Sequence, residues 1–160
     1  KVLDFTYTDQ NGKKFGLSDL RGQVWLADFM FTSCETVCPP MTANMVSLQQ
    51  KLKANELDVQ IVSFSVDPEV DTPEKLKAFG EKFNADFANW HFLTGYTQET
   101  IQKLAKESFK TVVEDDPESN QVTHGTSFYL VNRSGEVVQH YDGVKPPVDE
   151  IVRDIEDLHK

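Results

Sequence analysis

Hydrophobic positions along this chain form short apolar runs separated by stretches with helical spacing. Residues 24–31 are apolar except for Asp28, and residues 59–66 form a second strand-like run. Runs of this length indicate strands buried in a sheet. Between them, apolar residues recur at helical spacing from Met41 to Leu52, and the two prolines just before Met41 suit the first turn of a helix. The pattern therefore predicts a strand, a helix and a second strand.

The remaining segments continue this alternation. Thr72 and Thr97 are predicted N-caps of a second and a third helix, and Pro73 suits the first helical position. Asn11–Gly12 predicts a hairpin turn near the start of the chain. The predicted elements in order are a hairpin (5–17), a strand (24–31), a helix (40–54), a strand (59–66), a helix from 73, a strand (90–93), a helix from 97, a brief strand (111–113), a hairpin (127–141) and a helix (147–158).

This order of elements predicts an α/β fold in which helices flank a central mixed sheet. The 160 residues are expected to form a single domain over residues 1–160. Both cysteines directly follow the first core strand, as in the thioredoxin fold. Relative to that fold, the chain carries an N-terminal β-hairpin extension and a midchain insertion.

The net charge argues against a nucleic-acid partner, and the hydropathy pattern argues against a membrane-spanning helix. A net charge of −10 argues against nucleic acid, whose binding needs a basic face. Much of the acidity lies in a predicted loop at residues 114–118 and in the C-terminal helix, which we interpret as solvated surfaces, with docking of a cationic partner as the alternative. No run of 18 apolar residues occurs, so no membrane-spanning helix is expected. Because the chain starts at Lys1 without a methionine, we expect that a leader or anchor is missing from it.

Cys34 and Cys38 are predicted to lie on the loop between the first core strand and the first helix. A residue before proline avoids the α conformation, which places Cys38 at or just ahead of the helix start. Free N–H groups and the dipole at a helix N-terminus lower a thiol pKa and favour the thiolate, the form that attacks electrophiles and binds metals. The alternative is a short disulfide or two buried thiols, although so small a loop would stabilise the fold only weakly.

His124 is the third candidate residue, because it precedes the apolar run at 127–131. In a thioredoxin fold the loop before that strand faces the cysteine loop, so Cys34, Cys38 and His124 are predicted to converge. Two sulfurs and one nitrogen form a soft ligand set with an open position, which suits copper, with zinc as the competing metal. The weaker candidates are three other histidines and a methionine pair expected to pack in the core: His91, His140, His159, Met41 and Met45.

Two aspartates are candidates for the surroundings of this site. Asp28 lies six residues before Cys34, where it either takes a proton from a thiol or serves as a structural hydrogen-bonded group. Asp67 follows the second strand at the same edge of the sheet. It either forms hydrogen bonds near the site or helps Pro68 to form a turn.

Three segments together resemble the Sco family: residues 29–39 (FMFTSCETVCP), residues 63–73 (SFSVDPEVDTP) and His124 ahead of 127–131. The resemblance extends over essentially the whole chain and is strongest to the Bacillus type. It implies a thioredoxin-like domain that binds copper through Cys34, Cys38 and His124 and serves the CuA centre of cytochrome c oxidase subunit II. A copper donor and a thiol reductant would be further partners.

The resemblance also implies a location outside the cytoplasm, on the cell membrane, through an N-terminal anchor that this chain lacks. Two other classes of function remain open. One is an enzyme, either a thiol–disulfide oxidoreductase that uses Cys34 and Cys38 to reduce the CuA cysteines of subunit II or a peroxidase; the other is a redox or copper sensor. Thioredoxins have a proline before the strand that follows His124, but none occurs here between Pro117 and Pro146. That argues against a general oxidoreductase, whereas Asp28 favours one. A metallochaperone rather than an enzyme is the preferred interpretation.

Overall fold

The computed structural model of the chain describes residues 2–32, 38–110, 114–116, 121–123 and 127–159, and only the backbone of 38, 114–116 and 121–123. Its strands are β1 (Thr6–Thr8), β2 (Lys14–Gly16), β3 (Trp25–Met30), β4 (Gln60–Ser65), β5 (Trp90–Leu93), β6 (Glu114–Asp116), β7 (Gln121–Thr123), β8 (Ser127–Val131) and β9 (Val137–Asp142). Its helices are α1 (Cys38–Ala54), α2 (Pro73–Lys82), α3 (Gln98–Phe109) and α4 (Val148–Leu158), with a 3-10 turn at Leu17–Leu20.

Five of these strands form one sheet in the order β5-β4-β3-β8-β9. β3, β4 and β5 run parallel, whereas β8 is antiparallel to both β3 and β9. The predicted mixed sheet is therefore confirmed. β3 lies at its centre and all six of its residues are buried, which explains the almost unbroken apolar run around Asp28.

The two faces of β3 and β4 differ in chemistry. The strands pair in register from Trp25 with Gln60 to Met30 with Ser65, so paired side chains point to the same side of the sheet. One side, the aromatic face, carries Trp25, Ala27, Phe29, Gln60, Val62 and Phe64. The other side, the α1 face, carries Leu26, Asp28, Met30, Ile61, Ser63 and Ser65.

Helices cover both faces. Right-handed crossovers place α1 and α2 on the same side of the parallel strands. Phe79 of α2 contacts Phe92, which pairs with Ser63, so that side is the α1 face. α4 lies beside α1, since Lys51 and Asp149 form an ion pair at 2.8 Å. On the aromatic face, α3 presents Phe109 as described below.

Rings from separate parts of the chain pack on the aromatic face. The rings of Phe29 and Phe64 stack with their centroids 5.4 Å apart, and the ring of Phe109 lies 5.4 and 5.9 Å from them. Phe5, just before β1, packs 5.4 Å from Phe64. The N-terminal hairpin and α3 are thus held to the sheet by the same aromatic cluster.

Both predicted helix caps are confirmed. The hydroxyl oxygen of Thr72 accepts a hydrogen bond from the N–H of Lys75 at 3.3 Å, and α2 begins at Pro73. The hydroxyl oxygen of Thr97 accepts one from Thr100 at 3.1 Å. In each helix the cap supplies an acceptor for an N–H group that has no partner within the helix.

The N-terminal hairpin is confirmed, but its connection is longer than an Asn–Gly pair. It comprises residues 9–13, and Asp9 organises it: Asp9 Oδ1 accepts the N–H groups of Asn11 and Lys13, both at 2.9 Å. Gly12 supplies the positive φ, 77°, that the loop requires. The aspartate at the end of β1 therefore determines the loop length.

The acidic segment also differs from its prediction as a solvated loop. Glu114–Asp116 form β6, which pairs antiparallel with β7. Three successive acids have low strand propensity, and pairing with a distant partner strand overrides such local preferences. The brief strand predicted at 111–113 lies outside the described residues.

The N-terminal hairpin also covers the outer edge of β5. The backbone N–H groups of Thr8 and Thr94 donate to each other's carbonyl oxygens, both at 2.9 Å. The side chain of Gln10 donates to the carbonyl of Trp90 at 3.4 Å and accepts the N–H of Phe92 at 3.0 Å. The amide of Gln10 thus takes the place of a neighbouring strand.

Candidate metal centre

The predicted ligands follow β3 and precede β8, the two neighbouring central strands. Cys38 is the first residue of α1, which confirms its predicted place at the helix start. Its side chain, Cys34 and His124 lie outside what the structure describes, so the convergence of the three ligands stays a prediction. Within the described ranges, no group of three or more His, Cys, Asp or Glu side chains could hold a metal ion.

The position of Cys38 has an electrostatic consequence. α1 runs for 17 residues, from Cys38 to Ala54, and carries no acidic residue in its first turn. Because Pro39 and Pro40 carry no N–H group, it is mainly the positive end of the helix dipole that lies at Cys38, without a neighbouring carboxylate from that turn. This is the type of environment that favours a thiolate over a thiol.

Asp28 is buried on the α1 face, with 1% of its surface exposed. The hydroxyl of Ser63 donates to Asp28 Oδ1 at 2.5 Å, and Ser63 Oγ accepts the indole N–H of Trp90 at 3.0 Å. This chain of hydrogen bonds links β3, β4 and β5 through the core. A structural hydrogen-bonded role for Asp28 is therefore observed, and proton transfer with a thiol stays a prediction.

Asp67 closes the turn that follows β4. Its backbone carbonyl accepts the N–H groups of Val70 at 3.1 Å and Asp71 at 2.9 Å, and its own N–H donates to Ser65 Oγ at 3.2 Å. These contacts agree with its predicted role in turn formation. A contribution of its carboxylate to the metal site stays a prediction.

The residue that the sequence analysis missed is Asp71, which is 1% exposed. One carboxylate oxygen accepts the Thr32 hydroxyl at 2.5 Å, and the other accepts the Thr32 N–H at 3.2 Å and the Ser65 hydroxyl at 2.7 Å. The backbone carbonyl of Asp71 accepts the hydroxyl of Thr94 at 2.7 Å. Asp71 therefore joins the carboxyl ends of β3, β4 and β5, which is the edge where ligands bind in open α/β sheets.

Tyr96 strengthens the same edge. Its hydroxyl lies 2.5 Å from the carbonyl oxygen of Ser65 and 2.9 Å from that of Leu93. Burial raises the pKa of Tyr96 well above its usual value, and the nearby Tyr7 and Asp71 add to the increase. Tyr96 is therefore a neutral hydrogen-bond donor that ties the ends of β4 and β5.

The weaker candidates have other roles in the described structure. Met41 and Met45 are 1% and 0% exposed, as expected for core residues. The ring of His91 stacks on Phe15 with centroids 4.0 Å apart. The two ring nitrogens of His159 lie 3.1 and 2.9 Å from backbone carbonyl oxygens, and His140 is exposed on β9.

A family model and a curated relative both relate this chain to the same protein family. Residues 1–160 match the family model described as SCO1/SenC. The SCO1 protein homolog of Bacillus subtilis (strain 168) is 51% identical over 156 residues, which is 97% of this chain and 81% of that protein. No helix in the described part of the chain is long and apolar enough to cross a membrane.

Solved structures share the fold over nearly the whole chain. A SCO1/SenC family lipoprotein from Bacillus anthracis str. Ames has a TM-score of 0.97 and 53% identity, over 100% of this chain and 95% of that one. BsSco, described as having a disulfide switch and as a member of the Sco family of cytochrome c oxidase assembly proteins, has a TM-score of 0.91 and 52% identity, over 99% and 92%. Bradyrhizobium japonicum ScoI with copper bound has a TM-score of 0.81 and 26% identity, over 98% of both chains.

Proposed function

Because the chain belongs to the SCO1/SenC family, we propose that it binds copper through Cys34, Cys38 and His124 and delivers it to the CuA centre of cytochrome c oxidase subunit II. The copper-bound relative supports the choice of metal, and the relative known as an oxidase assembly protein supports the choice of partner. Copper is here the cargo. Three protein ligands would leave one coordination position open, and a ligand of the partner protein could bind the ion there when it is passed on.

The observation that carries the proposal is the position of Cys38. It begins α1, the helix that follows the central strand β3 along the chain, and the positive end of the helix dipole favours a thiolate there. Thiolates select Cu(I), and a thiolate pair with an imidazole also suits Cu(II). The donor set therefore fits copper, with zinc as the chemical competitor.

The proposal also includes further partners, a membrane location and a role for two aspartates near the ligands. A thiol reductant keeps the cysteine pair able to bind metal, since a disulfide provides no thiolate ligand, and a separate donor supplies the copper. The lipoprotein relative supports attachment to the outer face of the cell membrane through a segment that precedes this chain. Asp28 and Asp67 are proposed to act on the ligands from outside the coordination shell.

A second function is favoured by one specific observation. BsSco, at 52% identity, is described as having a disulfide switch. Thiol–disulfide exchange between the Cys34–Cys38 pair and the cysteines of subunit II, or signalling by the redox state of the pair, is therefore the alternative. The two functions are compatible, because the dithiol binds copper and the disulfide does not.

The decisive experiment is an anaerobic titration of the dithiol protein with Cu(II), followed by visible absorption and electron paramagnetic resonance. We expect a one-to-one endpoint with sulfur-to-copper charge transfer. That signal should vanish in the variant Cys34→Ser/Cys38→Ser and weaken in His124→Ala. His140→Ala, which removes an exposed histidine of β9, is the matched control and should behave like the parent protein.

Two results would contradict the proposal. Copper that oxidises the thiols without forming a stable complex would leave disulfide exchange as the main activity. Equal behaviour of His124→Ala and His140→Ala would remove His124 from the ligand set. A parallel titration with Zn(II) tests whether the site distinguishes the two metals.

A further inference from the structure

We propose that Asp71 is a positioning residue for the two cysteines. By holding Thr32, it fixes the approach to Cys34 and so sets how the two thiols are presented to a metal or to each other. The part of this inference that concerns copper rests on the proposed function, whereas the part that concerns thiol pairing does not. Neither Asp71 nor Thr32 is among the predicted ligands.

The first argument is the number and type of hydrogen bonds. The buried carboxylate of Asp71 receives both the N–H and the hydroxyl of Thr32, and the hydroxyl of Ser65 fills a further acceptor position. Hydrogen bonds to an ionised carboxylate are stronger than those between neutral groups. Thr32 is thus held at two points, through its backbone as well as its side chain.

The second argument is where these bonds lie along the chain. Thr32 is two residues before Cys34, and Cys38 begins α1. Residues 33–37 therefore run between two positions that the fold holds: the Asp71 carboxylate on one side and the N-terminus of α1 on the other. Few backbone dihedral angles separate each cysteine from its nearer anchor.

The third argument is that Asp71 itself cannot shift easily. Its N–H donates to Asp67, its backbone carbonyl accepts from Thr94, and Thr72 after it caps α2. The turn, the end of β5 and the start of a helix all hold the same residue. A carboxylate fixed in this way holds Thr32, two residues before Cys34, in a fixed position relative to the sheet edge.

Loss of this anchor should reduce every property that depends on thiol placement. Preorganised ligands lose less conformational freedom on binding, and groups that orient metal ligands typically change affinity by about 10- to 100-fold. The same argument applies to disulfide formation, because anchoring raises the effective concentration of one thiol near the other. Releasing Thr32 is therefore expected to weaken copper binding and to shift the pair toward the dithiol.

The test compares Asp71→Asn, Asp71→Ala and Thr32→Val with Thr32→Ser, which keeps both donors to Asp71. The matched control is Gln49→Ala. Gln49 is 4% exposed and its amide bonds Asp86 and Asn89, but it lies eleven residues after Cys38, about 16 Å along α1. Gln49→Ala therefore removes a buried polar anchor that lies about three turns along α1 from Cys38 and makes its hydrogen bonds to Asp86 and Asn89.

Two quantities are measured under conditions in which each variant is folded, as judged by urea unfolding. The first is copper affinity by competition with a chelator. The second is the equilibrium with glutathione disulfide, in which Cys34 and Cys38 lose two electrons and two protons to form their disulfide, and glutathione disulfide becomes two glutathione thiols. We expect Asp71→Ala to lower both constants by at least about tenfold, Asp71→Asn and Thr32→Val by less, and Thr32→Ser and Gln49→Ala to leave them unchanged.

The outcomes separate this inference from the proposed function. If the parent protein binds no copper, the proposed function fails, and the glutathione equilibrium alone decides the role of Asp71. If the parent binds copper but Asp71→Ala and Gln49→Ala give the same two constants, the positioning role is wrong and Asp71 serves stability only. Additive effects of Asp71→Ala and Thr32→Val in the double variant would also overturn it, since residues acting through one contact are not additive.

Discussion

The two faces of β3 and β4 differ in chemistry although they are formed by alternating residues of the same two strands. On the aromatic face, Phe29 and Phe64 pack with rings contributed by the N-terminal hairpin and α3. On the α1 face, Asp28 and Ser63 occupy the matching positions and are joined by a hydrogen bond. The aromatic face is therefore held mainly by packed rings, whereas the α1 face combines buried apolar side chains, such as Leu26 and Met30, with directed polar contacts.

This difference shows how one sheet supports both stability and chemistry. Apolar packing is strong but non-directional, so it can hold separate elements together without placing any atom accurately. Buried polar groups must instead be fully paired, and the pairing fixes their geometry. The polar contacts of Asp28 and Asp71 lie on the side of the sheet that α1 covers, and α1 begins at Cys38, where exact placement matters.

The largest expected effect comes from the aromatic face. Phe64 is 0% exposed and contacts rings from three other parts of the chain, Phe5, Phe29 and Phe109. Phe64→Ala should lower the free energy of unfolding by about 3–5 kcal/mol, measured by urea denaturation. The copper affinity of the folded variant should stay close to that of the parent. A variant that keeps its stability but loses affinity would contradict the division between the faces.

A smaller effect is expected on the α1 face. Ser63→Ala removes the acceptor of the Trp90 indole and a donor to Asp28, which should cost about 1–3 kcal/mol of unfolding free energy. The emission of Trp90 should change, because its indole N–H loses its partner. Measuring in a Trp25→Phe background isolates that signal, as the chain has two tryptophans. Unchanged Trp90 emission would show that the hydrogen-bond chain is not maintained in solution.

The smallest effect concerns an imidazole at the margin of the aromatic face. Burial lowers the pKa of His91 from its usual value of 6.5, against the opposing charges of Asp9 and Asp19. As the pH is lowered through about 6.5, the His91 imidazole is therefore protonated in the unfolded chain before it is protonated in the folded protein. The free energy of unfolding decreases over this range until the pH reaches the folded-state pKa. His91→Gln should remove that part of the slope.

The measurement for His91 is urea unfolding of both proteins at a series of pH values between 8 and 5. The difference in stability between parent and His91→Gln should be constant at the upper end, where the imidazole is neutral in both states. It should then shift in favour of the variant as the pH falls. Parallel curves over the whole range would mean that His91 titrates alike in the folded and unfolded states.

Local signals account for what the sequence analysis predicted correctly. β5 has the predicted bounds, Trp90–Leu93, and the caps at Thr72 and Thr97 follow from residue types that act within three or four positions. The mixed sheet followed from the order of the elements. The family resemblance, by contrast, rested on motifs and not on physical inference, and it is confirmed by the match over residues 1–160.

Contacts between distant segments account for what was missed. The turn after β4 contains Asp67, Glu69 and Asp71, and nothing in their local pattern says which carboxylate points inward. Asp71 points inward because its carboxylate accepts hydrogen bonds from Thr32, 39 residues away, and from Ser65 at the end of β4. β6 was missed for the same reason, because its strand conformation depends on a partner that the acidic residues do not predict.

Gln10 has a consequence for the behaviour of the protein at high concentration. The outer strand of a sheet exposes N–H and C=O groups that can pair with another molecule and start aggregation. On β5 the Gln10 amide forms hydrogen bonds with the carbonyl oxygen of Trp90 and the N–H of Phe92. A side chain that pairs with these groups, unlike a paired strand, presents no further backbone edge at that point. The Gln10 side chain thus hinders the pairing of β5 with a strand of another molecule. Its loss would expose these backbone groups of β5 even in a correctly folded molecule.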